Sequence, residues 1–295
     1  MSDYQVAVVG GTHGNEFSGI QLVKQWQRRP EALSRPGLRV ESLWAHPHAH
    51  EANRRYLDAD LNRQFTPALL ADPLQRSYEA LLAKALDQQL GPKSSPKTDL
   101  IIDLHNTTSA MGPTLILLES DAWARQLAAY VKAGMPEAVI LLEDSQPASD
   151  WGYLCSMAKR GVMVEVGPQP QSVLRQGILD QMATMVGLIL DFASAQRLGA
   201  LPPLPDEVEA FRYVDTRMLP LDEAGRPVAM VAESVDGKDF QPLEPGAAVF
   251  TYFDGRTGYL ETDRTLYPHF INEAAYYNSH AAFSLAERVV LKLSE

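Results

Sequence analysis

In residues 1–202, short apolar runs alternate with segments whose apolar residues recur every three or four positions. The runs are typical of buried strands, and they cover 4–9, 38–44, 99–104, 114–119, 138–142 and 162–166. The helical patterns cover 17–29, 74–90 and 174–192. Because several strand runs are apolar throughout, we expect helices on both faces of a sheet. The pattern predicts an α/β fold.

The pattern changes at the segment LPPLP, residues 201–205, because closely spaced prolines continue neither helix nor strand. Beyond it the helical period disappears, and short apolar runs are separated by glycine and aspartate turns. We therefore expect a first domain over residues 1–202 and a β-rich domain over residues 203–295.

Composition narrows the classes of function. The 295 residues include 26 basic and 37 acidic side chains, a formal net charge of −11, and no basic run that would neutralise a row of phosphates. Nucleic acid is not expected as a partner. No uninterrupted apolar stretch approaches the roughly 18 to 20 residues of a membrane helix, and the N-terminal segment lacks the pattern of a signal peptide. We expect a cytoplasmic protein without a membrane partner.

Candidate chemistry lies where strands end. His13 and Glu16 follow the first strand in GGTHGNE, and His105 ends the run DLIIDLH. The single cysteine, Cys155, excludes a cysteine-rich zinc cluster, whereas two histidines and one glutamate form the ligand set of a catalytic zinc. The alternative for the first pair is a solvated surface turn. Asp103 could orient His105 or could be an ordinary buried carboxylate.

Two further segments are polar in unexpected places. Glu165 interrupts the apolar run VMVEV, where a carboxylate is costly unless it is paired or functional. It could act as a general base, or it could form a buried salt bridge. Residues 53–65 are rich in Arg and Asp, and taken alone they favour a solvated loop. The histidines of HPHAH, residues 46–50, also favour a surface loop because Pro47 breaks the alternation.

Five segments occur in order along nearly the whole chain: VAVVGGTHGNE, RYLDADLNR, DLHNTTS, EVGPQPQSVLR and LYPHFINEAAYY. In this combination the chain resembles the aspartoacylase family, which includes aspartoacylase and aminoacylase-3, within the zinc carboxypeptidase-like superfamily. The resemblance implies a mixed sheet flanked by helices, with a smaller β-rich C-terminal domain that covers the active-site cleft.

The resemblance also implies roles for individual residues. One zinc ion per chain would be bound by His13, Glu16 and His105, with Glu165 as the general base. Further residues would act on the substrate: Arg55 on the scissile carbonyl, Asn62 and Arg63 on the α-carboxylate, and Tyr276 in binding. Glu273 would support the same motif as Tyr276.

The implied activity is zinc-dependent deacylation of N-acyl-L-amino acids, giving a carboxylate such as acetate and the free amino acid. Trp151 and Cys155 stand where the family has a tyrosine and an arginine that hold an acidic side chain, unless Lys159 or Arg160 replaces the arginine. Trp151 in the substrate pocket would favour neutral or aromatic amino acids, as in aminoacylase-3. A non-catalytic zinc protein that only binds acyl amino acids is the remaining alternative. The resemblance leaves room for a homo-oligomer.

Overall fold

A computed structural model describes residues 4–276 and 278–294. In these residues, the α-helices in chain order are α1 Phe17–Arg28, α2 Pro47–Glu51, α3 Pro67–Ala71, α4 Tyr78–Leu90, α5 Ala122–Gly134 and α6 Gln176–Arg197. The strands of the same described part are β1 Tyr4–Gly10, β2 Leu38–Trp44, β3 Leu100–Asn106, β4 Gly112–Leu117, β5 Val139–Leu142, β6 Arg160–Gly167, β7 Glu207–Met218, β8 Ala229–Val231, β9 Ala248–Tyr252, β10 Thr257–Tyr259, β11 Tyr267–His269 and β12 Ala281–Lys292.

Nine of the described strands form one mixed sheet in the order β11-β12-β7-β5-β4-β6-β3-β1-β2. Strands β2, β1, β3 and β6 run parallel, β4 is antiparallel to β6, and β12 is antiparallel to β7. The expected α/β fold is confirmed, with a mixed sheet and flanking helices. The parallel half brings the ends of β1, β3 and β6 to one edge, where the candidate residues lie.

The two faces of the sheet bury different side chains, because successive residues of a strand point to opposite sides. In β1, Val6 and Val8 join a cluster that includes apolar residues of α1, α5 and α6. Ala7 and Val9 join a second cluster that includes residues of α4. Helices therefore cover both faces, as the apolar strands indicate.

One helix begins later than the sequence predicts. α4 begins at Tyr78, after the N-cap Ser77, and not at residue 74; Leu74 is 80% exposed. A serine that accepts a hydrogen bond from the third residue of a helix is a strong start signal.

Among the described helices, α6 is long and apolar enough to cross a membrane by length and composition, and 44% of its most apolar window is buried in the structure. The core helix of a soluble protein passes the same test.

The chain after residue 203 contributes to two sheets. β7, β12 and β11 extend the large sheet, whereas β8, β9 and β10 form a separate three-stranded sheet. A third apolar cluster, which includes Val249 and Phe283, lies in this part of the chain. The expected β-rich character is confirmed, and the division at residues 202 and 203 stays a prediction.

Candidate active site

Three side chains that can bind a metal meet at the ends of β1 and β3. His13 and Glu16 lie between β1 and α1, and His105 lies in β3. One ligand atom of each lies within 4.8 Å of the others, and all three residues are buried. Nδ1 of His13 is 2.8 Å from Oε1 of Glu16 and 3.2 Å from Nδ1 of His105. Two imidazoles and a carboxylate in this arrangement could hold one metal ion, and the donor set suits catalytic zinc.

The strand register produces this convergence. β1 pairs with β3 so that Gly10, the last residue of β1, lies opposite Leu104, and His105 follows Leu104 directly in β3. α1 packs directly on the end of β1, because a Cβ on Gly10 would lie 2.3 Å from the carbonyl oxygen of Gly19. This close approach places Glu16, the N-cap residue of α1, over the sheet edge.

A carboxylate lies beside the second ring nitrogen of each histidine. Nε2 of His13 is 2.9 Å from Oδ1 of Asp60, and Nε2 of His105 is 2.9 Å from Oδ2 of Asp103. Such carboxylates fix the ring orientation and would leave Nδ1 to face a bound metal ion. Asp103 therefore lies where it can orient the ring of His105, which is one of the two roles that the sequence leaves open for it. Asp60 was missed by the sequence analysis, although it lies in the charged segment 53–65.

Arg55 faces the three candidate metal ligands. Its Nη1 is 2.7 Å from Oε1 of Glu16, and its Nε is 3.2 Å from Oδ2 of Asp60. The side chain is 15% exposed, so a solvated loop does not describe this residue. A guanidinium here can stabilise negative charge on an oxygen that forms next to the metal.

A fully buried carboxylate, Glu79 of α4, binds the backbone that follows Arg55. Oε1 of Glu79 accepts the N–H of Leu57 at 2.6 Å. Oε2 accepts the N–H groups of Asp58 and Ala59 at 3.1 and 3.0 Å. The loop that presents Arg55 is therefore fixed by a charged hydrogen-bond acceptor.

His46 completes the contacts of Glu79, and it corrects the expectation of a surface loop for HPHAH. The ring is fully buried, and its Nε2 lies 2.9 Å from Oε1 of Glu79. Its Nδ1 accepts the N–H of Ala49 and caps α2. Burial lowers the pKa of His46 and outweighs the hydrogen bond and charge of Glu79, which raise it. Pro47 at the first helical position is the signal that could have indicated this cap.

Glu165 lies next to His105 because β3 and β6 pair these two residues in register. It lines one cavity together with the three metal-binding side chains. Burial raises the pKa of Glu165 well above its ordinary range; His105 lowers it, but the carboxylates of Glu16 and Glu273 raise it further. A carboxyl group with high proton affinity beside a metal site is suited to general base and acid chemistry.

Asn62 and Arg63 occupy different positions in the site. Asn62 is buried, its Oδ1 accepts the N–H of Leu154 at 2.7 Å, and its Nδ2 is 3.4 Å from Nε2 of His105. Arg63 is exposed and stacks its guanidinium 5.1 Å from the ring centroid of Tyr153. The guanidinium can therefore meet a substrate carboxylate that enters from solvent.

The turn that carries Tyr276 is tied to the end of β3. Oε2 of Glu273 accepts hydrogen bonds from the side chain of Thr107 and from the N–H and side chain of Thr108. Oε1 of Glu273 accepts the N–H of Ala275 at 2.8 Å. Glu273 thus joins the C-terminal part of the chain to the end of β3, next to the candidate metal site.

Two neighbouring cavities open at this edge. A cavity of about 40 Å³ is lined by the three metal-binding side chains, Arg55, Asn62 and Glu165. A larger cavity of about 430 Å³ is lined by the aromatic side chains Tyr56, Trp151, Tyr153, Tyr213, Phe270 and Tyr276. Arg63, Glu143 and Tyr276 line both cavities. A small reactive space therefore adjoins a wider aromatic one.

Trp151 and Cys155, the residues aligned with the family's tyrosine and arginine, lie in different environments. Trp151 lines the larger cavity and stacks on Tyr153 with ring centroids 4.9 Å apart. Cys155 is buried in the core, and burial raises the pKa of its thiol. Lys159 pairs with Asp99 at 2.8 Å. Arg160 pairs with Glu119 and with Asp121, both at 2.7 Å. Both cations lie outside the two cavities. Neither cation replaces the missing arginine.

Both parts of the chain match models of known protein families. Residues 2–193 match the model of the Succinylglutamate desuccinylase/Aspartoacylase catalytic domain, and residues 206–288 match the AstE/AspA barrel-sandwich hybrid domain. The chain is 41% identical over 293 residues to the N-acyl-aromatic-L-amino acid amidohydrolase (carboxylate-forming) of Homo sapiens, covering 96% of this chain and 90% of the human protein. It is 42% identical over 292 residues to the aspartoacylase of Danio rerio, covering 97% and 92% of the two chains.

Solved structures give the same picture. The crystal structure of murine aminoacylase 3 superposes with a TM-score of 0.91 at 35% sequence identity, covering 99% of this chain and 98% of the murine chain. A succinylglutamate desuccinylase from Vibrio parahaemolyticus is 17% identical with a TM-score of 0.62 and shares the fold.

Proposed function

Because the chain belongs to the succinylglutamate desuccinylase/aspartoacylase family, we propose that it hydrolyses N-acyl-L-amino acids to a carboxylate and the free amino acid. The relatives named as amidohydrolase and aspartoacylase are similar over nearly the whole chain. The observation that carries the proposal is the meeting of His13, Glu16 and His105 beside Glu165. Metal ligands with an adjacent proton acceptor are the machinery of amide hydrolysis.

Zinc is the metal we propose for this site, because the donor set of two histidines and one glutamate is typical of it. When bound, zinc supplies Lewis-acid activation of water and of the acyl carbonyl. Glu165 accepts a proton from the attacking water and later delivers a proton to the leaving amide nitrogen. Arg55 stabilises the negative charge on the acyl oxygen.

Arg63 gives the substrate its orientation in this proposal. Its exposed guanidinium lines both cavities and can bind the α-carboxylate through two parallel hydrogen bonds. The acyl group would then lie in the 40 Å³ space and the amino-acid side chain in the 430 Å³ space. Six aromatic residues line that wider space, which favours neutral or aromatic substrates over acidic ones.

The test compares metal-depleted and zinc-reloaded protein on N-acetyl-L-tyrosine and N-acetyl-L-aspartate, with acetate release as the readout. We expect chelation to abolish turnover and zinc to restore it, with N-acetyl-L-tyrosine the better substrate. Zinc-loaded protein that binds these compounds without hydrolysing either would support the non-catalytic alternative and refute the proposal.

A further inference from the structure

The larger cavity contains a carboxylate that the proposed reaction does not use. Glu143 follows the last residue of β5 and lines both the 430 Å³ cavity and the reactive cavity. The hydroxyl of Tyr153 donates a hydrogen bond to Oε2 of Glu143 at 2.8 Å. The pKa of Glu143 is raised by burial, which outweighs this hydrogen bond and the charge of Arg63; both of these lower the pKa and favour the carboxylate form. Glu143 is therefore a fixed acidic group on the wall where a substrate side chain would lie.

In the larger cavity, the described lining residues include no second cation that could pair with a second substrate carboxylate. Among the described residues that line it, Arg63 is the only lysine, arginine or histidine, whereas Asp60 and Glu143 are both acidic. Asp60 already contacts His13 and Arg55. Once Arg63 binds the α-carboxylate, an acidic side chain would lie near Glu143 without a positive partner.

We propose, on the basis of the function proposed above, that Glu143 is a specificity-determining residue that excludes N-acyl amino acids with acidic side chains. Like charges placed together in a partly desolvated space are strongly unfavourable, and building such a repulsion is an established route to specificity. Neutral and aromatic side chains can then pack against the aromatic wall, and acidic substrates do not compete with them for the cavity.

The sharpest test uses N-acetyl-L-asparagine and N-acetyl-L-aspartate, because the two substrates have nearly the same shape and differ in charge. With zinc-loaded native protein, we expect kcat/KM to favour asparagine by about 100-fold, which corresponds to about 2.7 kcal/mol. In Glu143→Gln the carboxylate becomes an amide of the same size. We expect the preference to fall at least about tenfold, through a lower KM for N-acetyl-L-aspartate.

Two further variants separate charge from shape. Tyr153→Phe removes the hydrogen bond to Glu143 and keeps its charge, so the preference for asparagine should persist whatever happens to the absolute rates. Trp151→Lys adds a cation to the same wall and should improve N-acetyl-L-aspartate relative to N-acetyl-L-asparagine. This second variant tests the charge balance even where Glu143→Gln does not fold.

Several results would overturn the inference. Native protein that prefers N-acetyl-L-aspartate would show that the cavity has no such exclusion, while the amidohydrolase function would stand. An equal loss on both substrates in Glu143→Gln would assign Glu143 a structural role. Where no compound is hydrolysed, the proposed function fails, and calorimetric binding of the two compounds then decides: equal affinities for native protein refute the exclusion, and tighter binding of asparagine supports it.

Discussion

Replacing Glu79 by glutamine should disturb the active site from outside it. Oε1 accepts hydrogen bonds from His46 and Leu57, and Oε2 accepts them from Asp58 and Ala59. The amide nitrogen of glutamine cannot accept, so two of these four donors lose their partner. The His46 donor is buried and the three backbone donors are partly buried; a donor left without an acceptor in such a site costs about 1 to 3 kcal/mol, and we expect a loss of about 3 kcal/mol in the free energy of unfolding.

For a chain of this size, that loss corresponds to a fall of about 6 °C in Tm, measured by calorimetry of the zinc-loaded protein. Activity should fall as well, because Leu57 to Ala59 lie between Arg55 and Asp60, which contact the metal ligands. A displacement near 1 Å can cost up to about 100-fold in rate, so we expect kcat/KM to fall at least about tenfold.

Ser77→Ala is the matched control on the same helix. It removes the hydrogen bond from the N–H of Ala80 to Ser77 Oγ and should cost about 1 kcal/mol of stability. Its kcat/KM should stay within about twofold of the native value, because Ser77 does not hold the 57–59 backbone. A Glu79→Gln protein that loses stability but keeps native kcat/KM would refute the positioning role of Glu79.

Three other changes test separate parts of the structure. Glu165→Gln should keep the metal, measured by elemental analysis, and lose about 10² to 10⁴-fold in kcat; native-like turnover would contradict its role as base. Glu273→Gln should raise KM about tenfold with unchanged metal content, because the turn carrying Tyr276 loosens; a fall in kcat alone would contradict this. Burial lowers the pKa of His269 to about 4, so its contribution to stability is complete above its unfolded pKa of about 6.5 and is lost as the pH falls towards 4. Between about pH 7.5 and 5 this amounts to about 2 kcal/mol, and His269→Phe should reduce the corresponding change in Tm; an equal change in both proteins would exclude His269 as its source.

The sequence predicts the elements that depend on local pattern. The apolar strands, the α/β class and the exits that carry His13 and His105 follow from hydrophobic runs and from the rule that parallel strands end at one edge. The start of α4 was misplaced because Leu74 continues the helical spacing, whereas the cap at Ser77 decides where the helix begins. Spacing cannot show which residues a cap leaves in solvent.

The charged residues were harder to place, because their partners lie far away along the chain. His46 and Glu79 are separated by 33 positions, and Thr107 and Glu273 by 166. Each of these carboxylates looks like an ordinary polar residue until the fold brings its donors together. The same holds for Glu143, whose role depends on the side chains that share its cavity and not on its neighbours in sequence.

The bond between Glu273 and the end of β3 has a consequence for biosynthesis. During translation, the three candidate metal ligands and Glu165 all leave the ribosome more than a hundred residues before Glu273 and Tyr276 do. A nascent chain can therefore contain all three candidate metal ligands before the residues of the larger cavity's C-terminal wall have been made. The site that we propose for hydrolysis is complete only after the last part of the polypeptide has been made and β11 and β12 have joined the large sheet. Partly made chains would lack Phe270 and Tyr276, two of the aromatic residues that line the larger cavity.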